Sequence, residues 1–214
     1  MARTKKVTRI WPTLDVVAAA CAAQRVNGSY VKAPYQLGDD NHRKLNRELV
    51  YSILEDSSNI IDADRQMAER IKDFYKGYTF KILSGDFVSD FDRKTIKILE
   101  EEFTPEGYNI ALLASIPQTY QRAVQRSEAD RRIKFAQGGY VGKIGERLNL
   151  QVEVIKCVFS QQWGIFYLTA ITTSDQPIFF GYKQDVAVGT VLNIDGTVKR
   201  QDNNQTQLNR VKIV

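Results

Sequence analysis

At 214 residues the chain can hold one large domain or two small ones, each able to bury a core. Its 43% apolar and 26% charged residues are ordinary for a soluble globular protein, and no apolar run approaches the roughly 18 residues that a bilayer span needs. The net charge of +5 favours anionic partners without naming one. Residues 1–137 carry 22 basic and 19 acidic side chains and residues 138–214 carry 8 and 6, so the positive charge is spread along the chain.

The first nine residues, with Arg3, Lys5, Lys6 and Arg9, form the one strongly basic block. It reads as a solvated terminus or as an arm that touches phosphates, and no apolar core follows it to make a secretory signal. Pro12-Thr13 then opens an alanine-rich helix through Ala23, closed by Asn27-Gly28. Asp40 or Asn41 can cap a second helix to about Leu54, with Leu45, Leu49, Ile53 and Leu54 on one face. A third is expected from Asp62 to about Lys76, with Ile82 and Leu83 extending it after an irregularity at Gly77. A fourth runs from about Asp90, itself a natural cap along with Asp92, to Glu102. The last, Pro117 to Gln137, is densely charged at Arg122, Arg126, Arg131, Arg132 and Lys134, which predicts exposure on most sides.

Near residue 137 the period changes. Gly138-Gly139 and the glycine-spaced Tyr140-Val141-Gly142-Lys143-Ile144-Gly145-Glu146-Arg147 read as a flexible entry to a β region. From Arg147 to Val154 the alternation is strict, placing Leu148, Leu150, Val152 and Val154 toward a core. Gly164 to Thr172, Ile178 to Lys183, Val191 to Lys199 and Gln205 to Val214 follow as strands, with Asp202-Asn203-Asn204 making the last hairpin. The expected fold is therefore α+β: a helical domain over 1–137 followed by a five-stranded OB-fold barrel over 138–214, with an SH3-like barrel as the structural competitor.

A single-strand binder needs aromatic faces for bases and cations for the backbone. Trp163, Phe166, Tyr167, Phe179, Phe180 and Tyr182 lie on or beside the central strands, with Lys143, Arg147, Lys156, Lys183, Lys199, Arg200, Arg210 and Lys212 around them. Alternation puts Arg210 and Lys212 on one face and Val211 and Ile213 on the other, and it requires one ring of Phe179-Phe180 to point inward. The candidate nucleic-acid site is taken as Lys143, Arg147, Trp163, Phe166, Tyr167, Phe180, Tyr182, Lys183, Lys199, Arg200, Arg210 and Lys212.

Signals for catalysis are weaker. Asp86, Asp90 and Asp92 fit helix capping better than a metal cluster, Glu100-Glu101-Glu102 reads as a solvated run, and Asp39-Asp40-Asn41-His42 as turn and cap. With one histidine and two separated cysteines, Cys21 and Cys157, no zinc site is expected; the thiols read as buried and reduced. No GxxxxGK[ST] loop suggests an ATPase.

Segment 140–214 resembles the C-terminal OB-type domain of bacteriophage replication proteins, including single-stranded DNA-binding proteins. The resemblance rests on Tyr140 to Arg147, on Gly196-Thr197-Val198-Lys199 and on Gln205-Thr206-Gln207-Leu208-Asn209-Arg210-Val211-Lys212. Two departures stand out: Phe179-Phe180-Gly181-Tyr182 occupies the third strand where such domains often carry tryptophan, and Lys212-Ile213-Val214 is not the acidic tail that recruits partners. The resemblance implies a non-catalytic, cofactor-free single-stranded DNA-binding protein of the host cytoplasm, acting in phage replication or recombination, with replication proteins or a second copy as further partners. Two other readings stand beside it: a replication or helicase-loading adaptor whose barrel binds protein, and an RNA-binding regulator.

Overall fold

Helix α1 (Thr13–Asn27) is apolar on all sides, and from Val16 to Ala23 no residue is more than 6% exposed. A helix without a polar face must be enclosed, and its alanines allow neighbouring backbones to approach closely. It packs against α2 (Asn46–Glu55), α3 (Asp62–Leu83) and α5 (Tyr108–Leu113), and Gly28, at φ 70°, closes it in the left-handed conformation that glycine adopts freely. The computed structural model describes residues 9–32, 43–85 and 87–214, in two compact units, Met1–Ala123 and Val124–Val214. The expected roles of Arg3, Lys5, Lys6, Asp39 to His42 and Asp86 fall outside the described residues.

Several helical details differ from expectation. α3 runs without interruption through Gly77, because Phe74, Tyr75 and Tyr78, with Tyr120, form an aromatic cluster that holds both sides of that position. α4 (Asp90–Glu100) is capped by neither Asp90 nor Asp92: the Ser89 hydroxyl accepts from the Asp92 backbone N–H at 3.2 Å and donates to the Asp92 carboxylate at 2.6 Å. The helical unit also carries a two-stranded antiparallel pair, β1 (Ile10–Pro12) with β2 (Phe103–Pro105), too short to show a period. α6 (Ile116–Phe135) follows α5, and the division between the units falls inside it, after Ala123.

The β region closes into a five-stranded barrel of order β3-β4-β5-β7-β6, formed by β3 (Arg147–Ser160), β4 (Ile165–Thr172), β5 (Pro177–Tyr182), β6 (Val191–Asp202) and β7 (Gln205–Ile213). All pairings are antiparallel except β5 with β7. This is the OB arrangement: the long first strand gives its N-terminal half to β6 and its C-terminal half to β4. Val152, Val154, Leu168, Ile178, Phe180, Ile194 and Leu208 fill the interior. Asn203 and Asn204, both at positive φ, make the tight turn between β6 and β7.

Gly138 is not a flexible entry. Its N–H donates to Asp175 O at 3.1 Å, and Gln176 Nε2 donates to its carbonyl at 3.0 Å, pinning it onto the β4–β5 turn. A Cβ at Gly138 would lie 2.3 Å from the Ser174 carbonyl oxygen. Val141, whose N–H donates to Thr206 Oγ1 at 2.9 Å, then packs against the barrel core. Gly138→Ala should therefore destabilise the protein by about 1–3 kcal/mol. Gly77→Ala, at an exposed helical position where a Cβ meets nothing within 4 Å, should stabilise it by up to about 1 kcal/mol. Urea unfolding of the two variants beside the wild type checks both signs.

Candidate nucleic-acid interface

On β5 alternation turns Ile178, Phe180 and Tyr182 toward the barrel interior and Phe179 and Gly181 outward. Gly181 lies opposite Tyr167 of β4, and with no side chain beneath it the Tyr167 ring leans diagonally to stack on Phe179. The ring centroids are 5.4 Å apart and the planes 13° from parallel. Both rings remain part-exposed on the outer surface of the β4–β5 pair, the face through which OB barrels hold oligonucleotides.

β3 supplies the adjacent cation through an irregularity. Val152 and Val154 point inward, so unbroken alternation would carry Lys156 into the core as well. A β-bulge between Val154 and Lys156 resets the phase: Cys157 packs inward, while Lys156 and Val158 face out. Together with Tyr167, Thr169, Phe179 and Gln205 they line a groove of about 480 Å³, whose other wall is Asp130, Ile133 and Lys134 of α6.

Two ion pairs tie this part of α6 to β3. Arg132 makes a two-pronged contact with Glu153, at 2.8 Å from each guanidinium nitrogen, and Lys156 Nζ lies 3.1 Å from Asp130 Oδ1. The hydrogen bond from Arg132 holds the Glu153 carboxyl below the usual carboxylate range and raises the guanidinium in turn. Lys156 thus faces the groove as a cation already partnered by a carboxylate, the arrangement a phosphate oxygen can take over by exchange.

The structure separates the residues that the sequence grouped. Tyr167 stands on the groove, whereas Phe180 is a correction: it is 0% exposed and fills the core, and its neighbour Phe179 presents the outward ring. Phe166 and Tyr182, paired in register, pack against the interior, with Phe166 4.9 Å from Phe159. Trp163, 65% exposed, sits in the β3–β4 turn, and Lys183 is exposed just beyond β5. Lys143, in the loop before β3, and Arg147, Lys199, Arg200, Arg210 and Lys212, on the start of β3, on β6 and on β7, are exposed and are not among the residues that line the groove. Lys134 and Asp130 were missed; the signal available was the i, i+4 stripe Arg126, Asp130, Lys134 on the charged helix.

Burial pushes the Cys21 thiol up to about 12, and it also raises part-buried Cys157, which lies 3.4 Å from Asp185. Among the described residues no helix is long and apolar enough to cross a membrane. Fold and surface together define an α+β protein with an OB-type barrel whose outer β4–β5 face carries an aromatic stack beside lysine. Searches against protein-family models, curated proteins and solved structures find no match to this chain.

Glu153→Gln should cost about 0.5 kcal/mol at neutral pH, since both partners are more than a third exposed and solvent screens them. The carboxyl is lowered in the folded state, so its contribution is present above the ordinary carboxylate pKa and disappears as the pH falls through the folded value. Urea midpoints of wild type and variant should differ at pH 7 and converge once the pH has fallen below the lowered value of the folded carboxyl.

Proposed function

We propose that the barrel binds single-stranded DNA without catalysis, in replication or recombination. The observation that carries this reading is the Tyr167–Phe179 stack on the β4–β5 face, in a groove that also holds Lys134 and Lys156. Stacked rings give bases a platform that tolerates any sequence, and the lysines meet the backbone. The resemblance of segment 140–214 to phage single-strand binders points the same way and supplies the phage setting. Asp130 opposes it locally, since a phosphate must displace that carboxylate from Lys156.

Titration of a labelled oligo(dT) by anisotropy tests the reading. Tyr167→Ala should weaken binding by about 1–3 kcal/mol, and Lys156→Gln should reduce the log–log salt slope by about 0.7. Absence of binding at micromolar protein and low salt, or a flat salt response, overturns it, and stronger competition by oligo(rU) than by oligo(dT) moves the assignment to RNA. A protein-binding role of the helical unit, rather than of the barrel as in the adaptor reading, is favoured by one observation, the exposed Phe80, Leu83 and Phe87 around the end of α3 and the connection to α4.

A further inference from the structure

The cations that the groove leaves unused share a surface of their own. The β6–β7 ladder has two register shifts, one between Asp195 and Thr197 and one between Val198 and Arg200. At each bulge the alternation breaks and consecutive polar side chains both face out, Lys199 with Arg200 on β6 and Asn209 with Arg210 on β7. Lys212 lies beside Asp195 on the same outer face. Among the described residues Lys199, Arg200, Arg210 and Lys212 have no carboxylate partner, while Asp195 is engaged by Arg147 at 3.6 Å and Asn149 at 2.8 Å.

Arg210 adds an independent sign. It sits at φ 52°, in the left-handed region that suits glycine and that arginine seldom occupies. A bulge needs such a conformation but not a guanidinium, so the residue present is the one a purely structural role would not favour.

In a closed five-stranded barrel each strand takes about 72° of the circumference. β7 lies between β5 and β6 and borders the groove at Gln205, whereas Lys199, Arg200, Arg210 and Lys212 are not among the residues that line it. Apart from Val191 and Ile213, at the end of the hairpin away from its turn, the exposed side chains are polar or charged, with no aromatic among them. Such a surface contacts phosphates and sugars but cannot stack an unpaired base. From the Asp195–Lys212 pair to Arg200 it extends about 16 Å at roughly 3.3 Å per residue, the length of about five base-pair steps.

We propose that the outer face of β6–β7 is a second nucleic-acid surface, which holds the backbone of a duplex while the groove is left for a single strand. The barrel would then sit at a junction between paired and unpaired DNA. The duplex contact does not depend on the groove reading, and either can fail alone.

Three full-length proteins decide it: wild type, Tyr167→Ala, and a triple variant with Lys199→Gln, Arg210→Gly and Lys212→Gln. Each is titrated over a range of salt with a blunt duplex and with a short oligo(dT). Arg210→Gly relieves the backbone conformation, so loss of binding cannot be traced to a damaged fold, and the melting temperature of the triple variant should not fall. The triple variant should bind duplex at least tenfold more weakly, with a salt slope smaller by between about 2 and 3, and keep its oligo(dT) affinity. Tyr167→Ala should do the reverse. The proposal is overturned if the wild type shows no duplex binding, if the triple variant binds duplex unchanged, or if it loses both ligands equally, which would mean one continuous site. Duplex binding without oligo(dT) binding would remove the single-strand reading and leave this surface standing.

Discussion

One strand has to serve two neighbours for this barrel to close. β3 pairs with β6 from Arg147 to Glu153 and with β4 from Val152 to Ser160, and the bulge between Val154 and Lys156 lets it bend from one partner to the other. The bend that closes the barrel also decides which side chains reach solvent. Before it Glu153 points out, toward Arg132; after it Lys156 and Val158 do, so both anchors of α6 come from residues on either side of a single irregularity. A structural need of the backbone thereby fixes the chemistry of the groove.

The β6–β7 hairpin works by the same physics. Its two bulges satisfy curvature on a small barrel, and in doing so they expose pairs of adjacent polar residues where a regular ladder would bury every second one. The interior remains apolar around Phe180 and Ile194, while cations collect outside, on β6 and β7. Tyr167 and Phe179 depend in turn on Gly181, because a larger residue there would meet Ile165 Cδ1 at 3.0 Å and occupy the space over which Tyr167 leans.

The helical unit obeys a different constraint. α1 can be central only because its residues are small: Ala18, Ala19, Ala20, Ala22 and Ala23 leave room for neighbouring helices. Some polar groups brought inside are matched: Asn46 Oδ1 accepts from Asn27 Nδ2 and from the Val31 N–H, each at 2.8 Å. Arg25 holds the buried Asp64, which also accepts from the Ile61 N–H at the start of α3.

Local order was legible in the sequence because it is encoded locally. The alanine run with Gly28 marked α1, strict alternation marked the first half of β3, and Asn203-Asn204 marked the final hairpin, so the helical region followed by an OB barrel could be read from period and turn chemistry alone. The alternation in Arg210 to Ile213 correctly put Arg210 and Lys212 outside. What the chain order did not reveal was phase and assembly. Phe179 and Phe180 are equivalent in composition, and only the pairing of β5 with β4 and β7 decided that Phe180 fills the core. A one-residue bulge inverts every later side chain, and it is set by the curvature of the closed barrel rather than by the residues beside it. For that reason Lys156 and the second half of α6 entered the candidate site, while the cations of β6 and β7 left it for a face of their own.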